Sequence, residues 1–155
     1  MKKCLLFLIC ICFILFFCKC PINDEYRWYL DNQTDDTLSV YLAFGFLSAY
    51  PDTILPIDPN KANISGADPH KKQLIWLSGG TPEKEIKILP KDTLSVFLMH
   101  HDTIKKYKWQ EIRADYKILK RYDLSLNDLQ ILDFTIPYPP NKTMQDMKMY
   151  PPYDE

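Results

Sequence analysis

Beyond Cys20 the 155-residue chain has no cysteine. The 135 residues that follow therefore have no internal disulfide and no thiol for metal binding or nucleophilic catalysis. Glycine is scarce, with four residues in all, and Gly79-Gly80 lacks the following Lys-Ser/Thr of a phosphate loop. No serine stands in a Gly-x-Ser-x-Gly elbow. Histidine is limited to His70, His100 and His101. Neighbouring residues of a strand point to opposite faces, so His100 and His101 do not chelate one ion, and neither a metal nor another cofactor is expected. No apolar run reaches the roughly 20 residues of a bilayer-spanning helix. Paired carboxylates occur at Asp35-Asp36 and Asp154-Glu155, in a turn and at the terminus, and neither pair suggests the shaped cleft of a glycosidase.

The first twenty residues differ from the rest. Met1-Lys2-Lys3 is a basic start, and Cys4 to Cys18 is uncharged and apolar apart from its thiols. Fifteen such residues fit the hydrophobic region of an export signal. All five cysteines, Cys4, Cys10, Cys12, Cys18 and Cys20, lie in this segment, as in a bacterial lipoprotein whose thiol beyond the cleavage point is acylated. Cys18 has Leu15 three residues before it and is the preferred anchor; Cys20, directly preceded by Lys19, is the alternative. An uncleaved anchor and a secreted form are the other two readings of the segment. From residue 21 onward there are 16 Lys+Arg and 20 Asp+Glu, a net charge of −4, which disfavours nucleic acid as a partner.

The remainder has room for one domain. The predicted organisation is an export and membrane-targeting segment over 1–18, a tether over 19–25, a mainly-β domain over 26–140 and a flexible tail over 141–155. Tyr26, Trp28 and Leu30 alternate with Arg27, Tyr29 and Asp31, and Leu38, Val40, Leu42 and Phe44 alternate with Ser39 and Tyr41. These runs predict two strands joined as a hairpin through the turn residues 32–36. Short strands are also expected at 53–55, 73–77, 85–89, 117–124 and 133–138, the last at an edge because of Pro137. Asp92-Thr-Leu-Ser-Val-Phe-Leu98 matches Asp36-Thr-Leu-Ser-Val-Tyr-Leu42 at six of seven positions; both predict an aspartate turn followed by a strand. Residues 104–116 change to helical spacing, and Ser125-Leu-Asn-Asp128 has the form of a capping box. The fold expected is a single β-sandwich-like domain with one or two short helices, an Ig-like arrangement being one form of it; α+β is the alternative.

Residues 109–130, from Trp109-Gln-Glu-Ile-Arg to Asn-Asp-Leu-Gln130, and Phe134-Thr-Ile-Pro-Tyr-Pro139 resemble a family of small lipoproteins from Bacteroides-type bacteria. The Asp-Thr-Leu-Ser-Val strand starts are similar too. The resemblance covers most of 26–139 and implies an envelope lipoprotein of unknown function, with no catalytic or binding residues to carry over.

Two further features stand out. Residues 105–121 carry Lys105, Lys106, Lys108, Arg113, Lys117, Lys120 and Arg121 against Glu111 and Asp115, with Tyr107, Trp109 and Tyr116 between them. Basic plus aromatic side chains suit a glycan or acidic-lipid site, so Lys105, Tyr107, Trp109, Arg113 and Tyr116 are candidate ligand-binding residues. A solvated basic face with its aromatics turned inward is the structural alternative. Four Asp-Thr-Leu/Ile triplets resemble O-glycosylation sites of exported proteins from Bacteroides-type bacteria, which makes Thr37, Thr53, Thr93 and Thr103 candidates; strand starts explain the same residues without modification. The function expected is non-catalytic: a binding or structural module of the cell envelope, held to a membrane, the outer one by preference, through N-terminal acyl chains. Its expected partners are that membrane and a glycan or another envelope protein. A glycan-binding surface protein is the second reading and a small hydrolase the third.

Overall fold

The computed structural model describes residues 26–44, 50–52, 54–57 and 64–154. The export segment, Cys18, Cys20, the tether and Thr53 lie outside the described residues. The described chain is mainly β, with eight strands in two sheets and a few short helices. In order these are β1 (Tyr26–Asn32), β2 (Leu38–Ala43), β3 (Ile64–Ala67), β4 (Lys71–Ser78), α1 (Pro82–Lys87), β5 (Thr93–His100), α2 (His101–Lys106), α3 (Trp109–Ala114), β6 (Lys120–Ser125), α4 (Leu126–Ile131), β7 (Thr135–Tyr138) and β8 (Lys148–Tyr150).

The sheets have the orders β4-β1-β7 and β3-β2-β5-β6-β8. All pairings are antiparallel except β1 with β7. Trp28, Leu30, Ile75 and Ile136 of the smaller sheet meet Leu38, Val40, Leu42, Leu94, Val96, Leu98, Tyr122 and Leu124 of the larger one in the main core. Ile86 and Leu89 from α1 and its C-terminal turn, and Leu129 and Leu132 from α4 and its cap, close this core. On the outer face of the larger sheet, Tyr41, Ala43, Phe97 and Met99 form a second cluster with Leu55 and Ile112, packed against Ile104, Tyr107, Trp109 and Tyr116.

Several expectations change. The runs 26–32 and 38–43 do not form a hairpin: β1 and β2 lie in different sheets, because the 32–36 turn carries the chain across the sandwich. That separation, with β1 between β4 and β7, also departs from the Ig-like order, in which the first two strands share a sheet. Residues 85–89 are not a strand. Pro82 sits in the first turn of α1, where its missing N–H costs nothing; Pro82 and Ile86 are the buried residues of that helix, and Leu89 follows in the turn beyond it. The expected helical segment 104–116 is two helices, α2 and α3. The capping box at Ser125 forms, with Ser125 Oγ accepting from Asp128 N at 3.2 Å and Ser125 N donating to Asp128 Oδ2 at 2.8 Å.

The stretch expected to be a flexible tail is ordered over most of its length. Met144 and Met147 are buried in the main core, and β8 pairs with β6 through Tyr150↔Arg121 and Lys148↔Asp123. Methionine's unbranched side chain fills the core edge without the aliphatic pattern that marks a strand. Met144→Ala should therefore cost about 2–5 kcal/mol of unfolding free energy in a urea titration. A mobile tail would leave the midpoint unchanged.

Candidate functional site

The two near-identical heptads form the central pair of the larger sheet. β2 and β5 are antiparallel, and Tyr41 faces Phe97, the one position at which the heptads differ. The pair lies at the centre of a local twofold arrangement, with ring centroids 6.1 Å apart. Ser39 and Ser95 become equivalent positions, both buried on the outer face. Each finds a polar partner: Ser39 Oγ lies 2.9 Å from His101 Nδ1, and Ser95 Oγ donates to Asp123 Oδ1 at 2.7 Å.

The first of these contacts belongs to a polar site at one end of the sandwich. Buried Asn32, at the end of β1, ties that end together. Its Nδ2 donates to the carbonyls of Asp36 (2.8 Å), Asp68 (3.0 Å) and Ala67 (3.2 Å), while its Oδ1 accepts from Thr34 N and Oγ1. The 32–36 turn is thereby held against the β3–β4 corner. His101 N extends the β2–β5 ladder by donating to Thr37 O at 3.0 Å. Between these segments lies a depression of about 140 Å³ lined by Asp36, Thr37, His100, His101, Asp102 and Lys105.

Every histidine in the chain is drawn to this end. His70 Nε2 is 2.8 Å from Asp35, and His100 Nδ1 is 3.6 Å from Asp36. Lys105 Nζ is 3.7 Å from Asp102. His100 ends β5 and His101 begins α2, so the adjacent rings take different partners. Among the described residues no group of three or more His, Cys, Asp or Glu side chains is placed to hold a metal ion. The Ser39–His101 contact resembles a nucleophile beside a base, but the serine side chain is buried in the sheet. Two carboxylates, one ammonium and two imidazoles around a small opening suit a small, polar, hydrogen-bonding group. Sequence reasoning weighed His100, His101, Lys105 and Thr37 separately but did not bring them together, because the turn at 32–36 and the β5–α2 junction lie over 60 residues apart in the chain.

The basic and aromatic candidates do not share one site. Lys105 lines the depression. Tyr107 is half-buried, with Lys117 Nζ 4.6 Å and Lys106 Nζ 5.2 Å from its ring centroid. Trp109 packs on Tyr41 at 5.6 Å and donates from Nε1 to Pro56 O at 2.7 Å, while Arg113 Nε donates to Leu55 O at 2.7 Å. These two side chains of α3 hold the 54–57 segment over the second cluster. Tyr116 OH accepts from Arg121 Nη1 at 2.6 Å. Arg121 Nε in turn donates to Asp123 Oδ2 at 3.2 Å, and its guanidinium lies 5.8 Å from the Tyr150 ring centroid. Of the O-glycosylation candidates, Thr37 and Thr103 are half-buried at the polar end. Thr93 is buried and donates to Lys91 O at 2.8 Å, so a sugar there would have to be added before folding.

Comparison with known proteins finds no family model, no curated protein and no solved structure that matches the chain.

The two polar features beneath α2 and α3 differ in sign as stability determinants. Arg121 and Asp123 are both buried. Asp123→Asn removes the carboxylate that balances the buried guanidinium and should cost about 3–5 kcal/mol in chemical denaturation. Among the described residues the buried Tyr41 hydroxyl has no hydrogen-bond partner. Tyr41→Phe should therefore stabilise the fold at neutral pH by about 1 kcal/mol in the same assay. Burial also pushes the Tyr41 phenol up to about 12 and raises Tyr122, Tyr116 and Tyr138. Each folded value lies above the unfolded value near 10, so this stability is present in full below pH ~10 and is lost as pH rises toward the folded values. Tyr41→Phe should reduce the loss between pH ~10 and ~12.

Proposed function

We propose that the chain is a cell-envelope lipoprotein, acylated at Cys18, whose β domain is a non-catalytic binding module that presents its polar depression away from the membrane. The observation that carries this reading is the polarity of β1. Its first residue, Tyr26, follows the predicted anchor and tether, while its last, Asn32, organises the depression. The seven residues of β1 separate the two by about 20 Å. A binding surface at the end remote from an anchor is open to partners in the adjoining compartment. The resemblance of residues 109–139 to Bacteroides-type lipoproteins points the same way.

The non-catalytic part of the reading is supported by how the reactive groups are used. Ser39 is enclosed, and Trp109 and Arg113 are bonded to the 55–56 backbone. The same bonds weigh against a glycan site built on Trp109, since a sugar would meet only the half-exposed side of that ring.

The test is the mass of the N-terminal peptide of protein purified from its own host, beside Cys18→Ser and Cys20→Ser variants. A diacyl or triacyl mass beginning at Cys18 and lost in Cys18→Ser is expected. An unmodified Met1 start, or a free N-terminus beyond the apolar run, overturns the anchor. Labelling of Ser39 by a fluorophosphonate probe would overturn the non-catalytic assignment.

A further inference from the structure

The end of the sandwich opposite the depression exposes three large aliphatic side chains among its charges. Tyr26 pairs with Ser78 at the end of β4. Phe44, at the end of β2, packs on Trp28 and Trp76 at 5.6 and 4.3 Å, which brings the Ala43, Thr93 and Ser125 ends of the larger sheet to the same side. α1 and α4 cover this end and touch each other. Leu77, Ile88 and Ile131 are here, and they are 49%, 74% and 55% exposed.

The two isoleucines arise from one repeated pattern. Ile86-Lys-Ile88-Leu89 and Leu129-Gln-Ile131-Leu132 each bury their first and fourth residues in the core and turn the third outward. Residues i and i+3 share a side of a helix and i+2 lies across from it. The core needs only the first and fourth, so fold stability does not explain a large aliphatic at the third position of both patterns. The presentation is rigid: Trp76 Nε1 and Ser78 Oγ both donate to Glu85 of α1, and Leu77 is held opposite Arg27 in the β1–β4 ladder.

We propose that this end rests on the lipid surface, with Leu77, Ile88 and Ile131 entering the headgroup region. The proposal rests on the anchored reading above. Eight residue steps separate Cys18 from Tyr26, so the two lie no more than about 29 Å apart even when the chain is fully extended. The end that carries Tyr26 is thus tethered next to the bilayer, and lipid is the surface available to cover it. Exposed aliphatics on short helices bind such an interface through buried apolar area. The flanking charges are mixed, Lys84, Lys87 and Lys91 against Glu83, Asp92 and Asp133, so the apolar contact carries the binding. The charges of the remote end are mixed as well, with Asp68 paired to Lys71 and Asp102 to Lys105, so charge does not choose between the two ends.

The experiment places the full chain in phosphatidylethanolamine–phosphatidylglycerol vesicles whose acyl chains are brominated near the headgroup. Ile88→Trp and Ile131→Trp add a reporter at the proposed contact, and Lys71→Trp adds one at the opposite end. Docking predicts that the first two are quenched about twofold more than the third. Equal quenching in all three overturns it. So does shielding of the reporters at 88 and 131 that disappears on dilution without bromine quenching, which would assign this face to a second copy of the chain. The N-terminal mass is read on the same preparation. An acylated chain with unquenched reporters sinks the docking alone, whereas an unacylated chain with quenched reporters sinks the anchor and keeps the docking.

Discussion

The β2–β5 pair is buried on both faces, and the rest of the described fold can be understood as its cover. Leu38, Val40, Leu42, Leu94, Val96 and Leu98 face the smaller sheet, while Tyr41, Ala43, Phe97 and Met99 face outward into a second cluster. A sandwich with only two layers would leave that outer face in water. Instead α2, α3 and the 54–57 segment form a third, partial layer, and the β2–β5 pair becomes the shared wall of two cores. Strands enclosed on both sides normally read as near-continuous apolar runs. Here Ser39 and Ser95 interrupt them, and each interruption sets a requirement, because a buried hydroxyl without a partner costs free energy.

Those two requirements shape the outer layer. At one end Ser39 takes His101, which fixes the first residue of α2 against β2 and creates the wall of the depression. Toward the other end Ser95 takes Asp123, and Asp123 in turn takes Arg121. Arg121 is then held by Tyr116 and covered by Tyr150, so the polar chain runs from the sheet centre to β8. One repeated heptad thus yields two polar networks with different neighbours. The first opens to solvent beside Asp36 and Lys105; the second is closed. This asymmetry gives the domain a site at one end of the pair.

Period-2 alternation marked β1, β2, β5 and β7, and the Ser125 box marked the start of α4, because in each case a single local pattern decides the outcome. Pairing was less legible. The 32–36 turn has the residues of a hairpin, but Asn32 bonds to the carbonyls of Ala67 and Asp68, and that contact across more than 30 residues directs the chain into the other sheet. β3, with Ile-Ser-Gly-Ala, and β8, with Lys-Met-Tyr, carry too few apolar residues to declare themselves; their partners impose them. The basic and aromatic run at 105–121 was visible as composition. Its use, with Trp109 and Arg113 bonded to the 55–56 carbonyls, was not, because backbone acceptors leave no mark in a sequence.

The two ends of the domain differ for a reason that lies in how each is closed. At the Asn32 end the connections are turns, and turns bring Asp, Asn, Thr and His side chains whose short polar groups satisfy the exposed backbone. At the Tyr26 end the closure is made by α1 and α4, whose backbone bonds are largely internal, so side chains there are free of that duty. Six-residue helices need only two inward positions to be held, and their outward positions are open to any residue. A protein with both ends in water would gain solubility from charge at those positions. Isoleucine at 88 and 131, beside Leu77, forgoes that gain on the end from which β1 leads back toward the predicted anchor. An end closed by helices and an end closed by turns leave the domain with two chemically distinct poles, and the depression belongs to the pole away from Tyr26.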